Sequence, residues 1–411
     1  MTDADKNCTL ARESDEHNSA LSAFAPSKAS HKRRRSCTLM ITRRCNLNCS
    51  YCYESHKCND TSFDMTFDTA KRILLSEFTF VQASPDFDEI EIDFMGGEPF
   101  LNFALIKQVV EWLDVCPPPI PYICFATTNG TLIAEHKDWL FKHRKHFVLG
   151  GSFDGTDEMQ TVNRGSWKDL SANMKLLLEM YPEQGIHMTV SKATLPNLSV
   201  GIISLQRKGF HVEVALAQGV EWNSADVEAY ECQLEDLAMA YLTTDRNLKP
   251  VNLLSRYLGG IDGSPELTRQ KKYCGSGTHM VAYDYDGKAY GCHLFTPIVL
   301  GCMAKVSEDI PFLCPDVVED EFCFQCVLKS ICPTCAGFNY RYRGSIGTRD
   351  HRWCKLMLAQ YKMASIFQQK YVAAMEHPAI EDVRYLRAAV TAYEVISASV
   401  WDEAPFRRVM K

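Results

Sequence analysis

Residues 37–52 read CTLMITRRCNLNCSYC, an apolar run that is followed directly by three cysteines. The run over Cys37–Thr42 contains β-branched and other apolar side chains, which predicts a β-strand. Cys45, Cys49 and Cys52 would then lie on a loop at the carboxyl end of that strand, where three thiolates can bind one metal centre. Because three thiolates leave one of four coordination positions open, the loop predicts either a reactive iron–sulfur site or a zinc site completed by a distant side chain.

Downstream of this loop, short apolar runs alternate with segments of helical periodicity, as in repeated βα units around a parallel sheet. The helical pattern is clear over Phe67–Phe80 and Leu170–Met180. The predicted strands are Cys37–Thr42, Ile90–Phe94, Tyr122–Thr127, Phe147–Ser152, His187–Ser191 and Val212–Ala215. Six units are too few for a closed eight-stranded barrel, so we predict an α/β fold with a partial (β/α)6 TIM-like barrel whose active residues lie in the loops after the strands.

After about residue 250 the pattern changes to glycine-rich and cysteine-rich segments, and a helical pattern returns over Lys355–Met375. We therefore expect a small cysteine-rich α+β domain and C-terminal helices after the barrel. The expected divisions are a flexible N-terminal extension at 1–36, the barrel at 37–245, a bridging region at 246–272, the cysteine-rich domain at 273–376 and a helical tail at 377–411.

The composition is that of an ordinary globular protein and narrows the range of partners. Its 411 residues carry a formal charge of -7, so no overall charge attracts nucleic acid, and the Lys32–Arg35 run is expected to be solvated surface. No apolar stretch is long enough to span a membrane, and the polar N-terminal region is unlike a secretory signal. We expect a cytoplasmic protein, in which 18 cysteines indicate metal or redox chemistry before disulfides.

Polar motifs also follow the second, third and fourth predicted strands. Gly96 and Gly97 permit close approach of the backbone to a ligand, and Glu98 offers an acceptor to a cationic group. Each motif alone is also compatible with an ordinary turn or a surface ion pair. Their shared position at strand ends favours a ligand site. The candidate residues are Gly96, Gly97, Glu98, Pro99, Asn129, Ser152, Asp154 and Arg164.

The three-cysteine loop and the Gly-Gly-Glu-Pro turn together resemble the radical S-adenosylmethionine (SAM) superfamily. The resemblance implies a 4Fe–4S cluster on Cys45, Cys49 and Cys52, with SAM on its open iron. It implies that the turn at 96–99 binds the SAM amino group and that Tyr51 lies against the adenine. The SAM ribose and carboxylate contacts that it implies are Asn129, Ser152, Asp154 and Arg164.

A second set of cysteines resembles the SPASM domain, a C-terminal extension that binds two auxiliary 4Fe–4S clusters in peptide-modifying radical SAM enzymes. Only two residues separate Cys332 from Cys335, whereas the family pattern has three. The first auxiliary ligand set implied by position lacks a fourth member, which could be Cys302, Cys314 or an open site for a substrate thiolate. The spacing alone would also suit zinc ribbons. The implied sets are Cys274, Cys292 and Cys335 for the first cluster, and Cys323, Cys326, Cys332 and Cys354 for the second.

The resemblance implies a radical SAM oxidoreductase that acts on a peptide or protein. Reductive cleavage of SAM would produce a 5′-deoxyadenosyl radical, which abstracts hydrogen from a ribosomally made peptide and so leads to a thioether or carbon–carbon cross-link. The expected partners are the peptide substrate and an electron donor such as flavodoxin or ferredoxin, with neither nucleic acid nor membrane.

Two other functions are weighed against this one. An anaerobic sulfatase-maturing enzyme, which forms formylglycine, resembles the chain as well, but such enzymes have an Asp directly after the second SPASM cysteine, where this chain has His293. His293 is a candidate for proton transfer, although a structural role fits it too. A zinc-stabilised module that binds a peptide or nucleic acid through the Lys32–Arg35 run is the alternative of a different class.

Overall fold

A computed structural model describes residue 24 and residues 33–165, 170–261, 274–306, 320–324 and 326–399. Eight strands form one sheet in the order β6-β5-β4-β3-β2-β1-β7-β8. The strands are β1 (Arg34–Thr42), β2 (Glu89–Gly96), β3 (Tyr122–Thr128), β4 (Phe147–Ser152), β5 (Gly185–Val190), β6 (His211–Leu216), β7 (Met280–Tyr283) and β8 (Ala289–Tyr290).

Strands β1 to β6 are parallel, and each pairs with the next along the chain. This arrangement is that of successive βα units, and the sheet does not close, since β6 and β8 form its two edges. The predicted α/β partial barrel is therefore confirmed. All six predicted strands are present, and β4 has the predicted bounds.

Helices cover the outer face of the sheet. The strands alternate in burial, because every second side chain lies on that covered face. In β2, Ile90, Ile92 and Phe94 are fully buried in the main core, while the residues between them are only half-buried and face the inner side of the barrel. The helices that follow the strands are α1 (Phe67–Ala83), α2 (Phe103–Val115), α3 (Lys137–His143), α4 (Asp157–Arg164), α5 (Leu170–Met180), α6 (Leu198–Arg207), α7 (Ser224–Leu242) and α8 (Asn252–Ser255).

The cysteine-rich part of the chain adds to the sheet of the barrel. Strand β7 pairs in parallel with β1, and β8 pairs antiparallel with β7, so the first strand of the barrel is internal to the sheet. The sequence analysis predicted neither strand. The remaining helices are α9 (Pro297–Leu300), α10 (Glu321–Phe324), α11 (Ala336–Arg343), α12 (Cys354–Ala373) and α13 (Ile380–Ala398). None of the helices within the described ranges has the length and apolar character needed to cross a membrane.

The basic run differs from its expected solvated state. Its described part enters β1, and the Arg35 guanidinium is buried against the Glu77 carboxylate at 2.8 Å. Arg33 pairs with Asp88, and Arg34 pairs with two glutamates of β2. The expectation was wrong for Arg35 because parallel pairing of β1 with β2 and packing on α1 supply carboxylates that no local pattern reveals. The described arginines of the run are therefore paired with carboxylates of the same chain.

Candidate functional site

The three-cysteine loop lies at the carboxyl end of β1 and is attached to its neighbours by backbone hydrogen bonds. The Ser50 amide donates to the Asn163 carbonyl at 2.8 Å, and the Glu98 amide donates to the Arg44 carbonyl at 2.8 Å. A Cβ atom on Gly97 would lie 2.9 Å from the Cys45 Cβ and closer still to the Arg44 carbonyl. The glycine is therefore required for the turn after β2 to approach the cysteine loop.

The thiols of Cys45, Cys49 and Cys52 lie near one another, with the Lys57 ammonium among them. The Lys57 Nζ is 3.4 Å from the Cys52 Sγ and 3.3 Å from the Leu47 carbonyl oxygen. Burial raises the pKa of the Cys45 thiol to about 11, so a metal must displace a proton in order to bind there. A partly buried group of three thiols with a cation beside it fits an anionic metal–sulfur centre. Lys57 was not predicted, since no motif marks it.

Glu98 is buried and accepts hydrogen bonds with both oxygens. Thr128 Oγ1 donates to Oε1 at 2.7 Å, and the Asn129 amide donates to Oε2 at 2.8 Å. The Phe100 amide also donates to Oε1 at 3.1 Å. Burial is the chief cause that raises the pKa of the carboxyl to about 7, and these donors oppose the shift. The turn after β2 thus presents a carboxylate that can receive a ligand ammonium.

Asp154 joins three of the predicted residues into one network. Its carboxylate accepts from Tyr51 Oη at 2.6 Å and from Arg164 Nε at 2.9 Å. Asn163 Nδ2 and the Thr189 amide donate to the same carboxylate, which is fully buried. The Arg164 guanidinium also lies 5.5 Å from the centre of the Tyr51 ring. The resemblance implied separate contacts of these side chains with SAM, whereas in the structure they contact one another. Ser152 is buried at the end of β4.

The C-terminal cysteines form two further groups of thiols. Burial raises the pKa of the Cys335 thiol, and the nearby Cys292 and Cys274 thiols raise it further. The thiols of the second group act on Cys354 in the same way. A cavity of about 240 Å³ is lined by all four members of the second group, which are Cys323, Cys326, Cys332 and Cys354. The grouping matches the two implied ligand sets, and ligation itself stays a prediction.

Tyr53 is near both the three-cysteine loop and the first auxiliary group. Burial raises the pKa of its hydroxyl, and the Cys52, Cys292 and Cys335 thiols raise it further. The Tyr53 Oη is 3.4 Å from the His293 Nε2, and burial lowers the pKa of His293 to about 4, which leaves the imidazole neutral near pH 7. The first auxiliary group is therefore adjacent to the predicted SAM site.

The fourth ligand of the first auxiliary group stays undecided between Cys302, Cys314 and a substrate thiolate at an open site. Cys302 is exposed in the loop after α9, and Cys314 lies outside the described residues.

Comparison with known proteins supports a 4Fe–4S cluster on the three-cysteine loop. Residues 34–171, which include the three-cysteine loop and all the predicted SAM contacts, match the family described as a 4Fe–4S single cluster domain. An uncharacterized protein of Methanocaldococcus jannaschii is 30% identical over 226 residues, which are 54% of this chain and 70% of that protein. A cysteine-type anaerobic sulfatase-maturating enzyme of Clostridium novyi is 31% identical over 163 residues, or 36% of this chain and 42% of that enzyme.

The chain belongs to the radical SAM superfamily. Its fold is similar to that of anSMEcpe solved with bound AdoMet, with a TM-score of 0.61 and 16% identity over 86% of this chain and 98% of that one. The same protein has been solved with AdoMet and the Cp18Cys peptide, with a TM-score of 0.60 over 80% of this chain. As a radical SAM protein it takes SAM and a SAM-binding 4Fe–4S cluster on the domain at residues 34–171, and its C-terminal cysteines resemble the SPASM pattern for auxiliary 4Fe–4S clusters. The donor chemistry of the three thiol groups fits the clusters.

SAM binding to this radical SAM protein should weaken as the pH falls. The Glu98 carboxyl, with a pKa of about 7, is ionised at pH 8 and protonated at pH 6, and only the ionised form attracts the SAM ammonium. We expect the dissociation constant for SAM to rise by roughly tenfold from pH 8 to pH 6, measured by calorimetry on the anaerobically reconstituted protein. Glu98→Gln should bind SAM weakly at both pH values. A variant with the pH dependence of the wild type would contradict the role of Glu98.

Proposed function

We propose that the protein modifies a ribosomally made peptide by installing a thioether or carbon–carbon cross-link. The observation that carries this proposal is that Tyr53 is near both the three-cysteine loop, through Cys52, and the first auxiliary group of Cys274, Cys292 and Cys335. A peptide carbon held near SAM would thereby lie near a metal site that can bind a peptide thiolate. Such an oxidation of the peptide is the reaction of an oxidoreductase. The reductive cleavage of SAM that starts it requires an electron donor such as flavodoxin or ferredoxin and a reducing, cytoplasmic setting.

The side chains described above would position the cofactors. Cys45, Cys49 and Cys52 would hold the cluster, which together with SAM supplies a 5′-deoxyadenosyl radical for hydrogen abstraction when bound. Glu98 would accept a hydrogen bond from the SAM ammonium, and Arg164 would donate to the SAM carboxylate.

Asp154 would hold the Arg164 fork in place through its two hydrogen bonds, since it contacts both Nε and Nη2. Gly96 and Gly97 would keep the backbone close to the ligand, Pro99 would begin the 3-10 turn after Glu98, and Ser152 and Asn129 would meet the ribose. His293 stays a candidate for proton transfer, with a structural role as the alternative.

Mass spectrometry of a candidate peptide tests the proposal. Short peptides encoded next to the gene would be co-expressed with the protein under anaerobic conditions, and a modified peptide should have lost two hydrogens. The Cys274→Ala variant should leave the peptide linear while SAM is still cleaved. Peptides of unchanged mass with the wild-type protein would contradict the proposal.

Formylglycine formation is the second candidate, and it is favoured by the likeness to a sulfatase-maturating enzyme and to a fold solved with a cysteine-containing peptide. The same assay distinguishes it when a sulfatase-derived peptide is supplied. An aldehyde product, trapped by a hydrazine reagent, would establish this activity in place of cross-linking. His293 at the position where such enzymes have an Asp ranks this candidate second.

A further inference from the structure

The second auxiliary group of thiols contains a buried cation that no motif predicted. Arg349 is only 5% exposed, and it lines the same cavity of about 240 Å³ as Cys323, Cys326, Cys332 and Cys354. It lies in the segment between α11 and α12, five residues before Cys354.

The side chain of Arg349 acts on the thiols of the second auxiliary group. The guanidinium hydrogen-bonds to Cys332, and its charge lowers the pKa of each of the four thiols against the opposing effect of burial. The Arg349 Nε finds no hydrogen-bond partner among the described residues. The arginine is thus directed at the sulfur atoms of this group.

The neighbouring carboxylates contact other side chains. Asp350 accepts from Arg352 at 2.6 Å, and Asp320 lies 2.6 Å from the His351 Nε2. A buried guanidinium cannot lose its proton, and burying its charge is strongly unfavourable unless an anion compensates it. Neutral thiols do not compensate that charge, whereas thiolates bound to an iron–sulfur cluster do.

We propose that Arg349 raises the reduction potential of the cluster held by Cys323, Cys326, Cys332 and Cys354. The reduced form of a cluster carries one more negative charge than the oxidised form, so a fixed positive charge beside its sulfur ligands stabilises the reduced form. Arg349 is a positioning residue in this respect, because it acts on the cluster through its ligands and touches no substrate.

A raised potential suits a site that receives an electron during turnover. When a peptide carbon loses one hydrogen atom to the SAM-derived radical and a new bond forms with release of one proton, one electron remains to be removed. Arg349 favours its transfer to the second auxiliary site. This last step rests on the peptide oxidation proposed above, whereas the effect of Arg349 on the potential does not.

An anaerobic redox titration followed by electron paramagnetic resonance tests the proposal without any peptide. The full-length chain with Cys45, Cys49 and Cys52 replaced by alanine would report the auxiliary clusters alone. In the Arg349→Met variant, we expect one of the two midpoint potentials to become more negative by about 59 mV. That shift corresponds to a tenfold change in the equilibrium of a one-electron reduction. The other midpoint should stay in place.

Two further variants separate charge from packing. Arg349→Lys keeps the positive charge and should keep both midpoints near their wild-type values. Arg207→Met removes a charge that is paired with Asp245 at the surface, with 62% of the Arg207 side chain exposed, and should change neither midpoint.

Each outcome of this experiment decides the proposal. Unchanged midpoints in Arg349→Met with full iron content would overturn it, whether or not a peptide substrate is found. If Arg349→Met loses iron while Arg349→Lys retains it, the requirement for a cation at the cluster is supported. Loss of iron in both variants would show that Arg349 acts through packing and would overturn the electrostatic role.

Discussion

Replacing Cys45, Cys49 and Cys52 by alanine should abolish SAM cleavage and leave the auxiliary clusters in place. The three thiols lie on one loop, whereas the other two groups lie in the C-terminal half of the chain, so their metal content should be independent. With three 4Fe–4S clusters, iron should fall from about 12 to about 8 atoms per chain. Formation of 5′-deoxyadenosine from SAM and dithionite, measured by chromatography, should drop below detection.

An exposed cysteine outside the three groups provides the control for that variant. Cys232 lies on α7 and is exposed, so Cys232→Ala should keep both the iron content and the rate of SAM cleavage. Retained SAM cleavage in the triple variant would remove the basis for assigning these thiols to the SAM-binding cluster. Loss of all iron would show that the three groups do not load separately.

The Asp154→Asn variant should lose stability and SAM binding together. The carboxylate is fully buried and accepts hydrogen bonds from Tyr51, Asn163, Arg164 and Thr189. An amide cannot neutralise the Arg164 guanidinium, which would then be a buried and unpaired charge. Breaking a buried ion pair in this way costs about 3–5 kcal/mol. Urea unfolding of samples with matched iron content measures the loss, and calorimetry measures the weaker binding of SAM.

Two comparisons show whether the charge of Asp154 is the cause. Asp157→Asn, three residues further on at the start of α4, changes a carboxylate whose side chain is 58% exposed, and it should leave the unfolding midpoint nearly unchanged. Adding Arg164→Met to Asp154→Asn removes the unpaired charge and should restore part of the stability, but not the binding of SAM. A single Asp154→Asn variant as stable as the wild type would refute the structural role.

The strands of the barrel could be predicted because their signal is local. The apolar run at 147–152 and the helical pattern at 170–180 are found with the predicted bounds, since burial on a sheet or a helix face leaves a period in the sequence. The beginning of β1 was missed by three residues because Arg34 and Arg35 look like surface residues. In the structure, distant partners such as Glu77 neutralise them.

The candidate site could be predicted in part for a related reason. The carboxyl ends of parallel strands meet at one edge of the sheet, so polar motifs placed after successive strands indicate a common site. The contacts within that site could not be predicted. Tyr51 and Asp154 are 103 positions apart, and no local pattern shows that their side chains form a hydrogen bond.

By itself, the sequence determined the three-cysteine loop at the end of the first strand and the order of the βα units, because spacing and periodicity are properties of neighbouring residues. The division of the C-terminal cysteines into two groups was implied by the resemblance to the SPASM domain. The tertiary structure decided what surrounds each group of thiols. Strand β7 pairs with β1, Tyr53 is near both Cys52 and the first auxiliary group, and folding of the segment before α12 buries Arg349 against the second. Such contacts depend on hydrogen bonds and burial between distant parts of the chain, for which local sequence carries no signal.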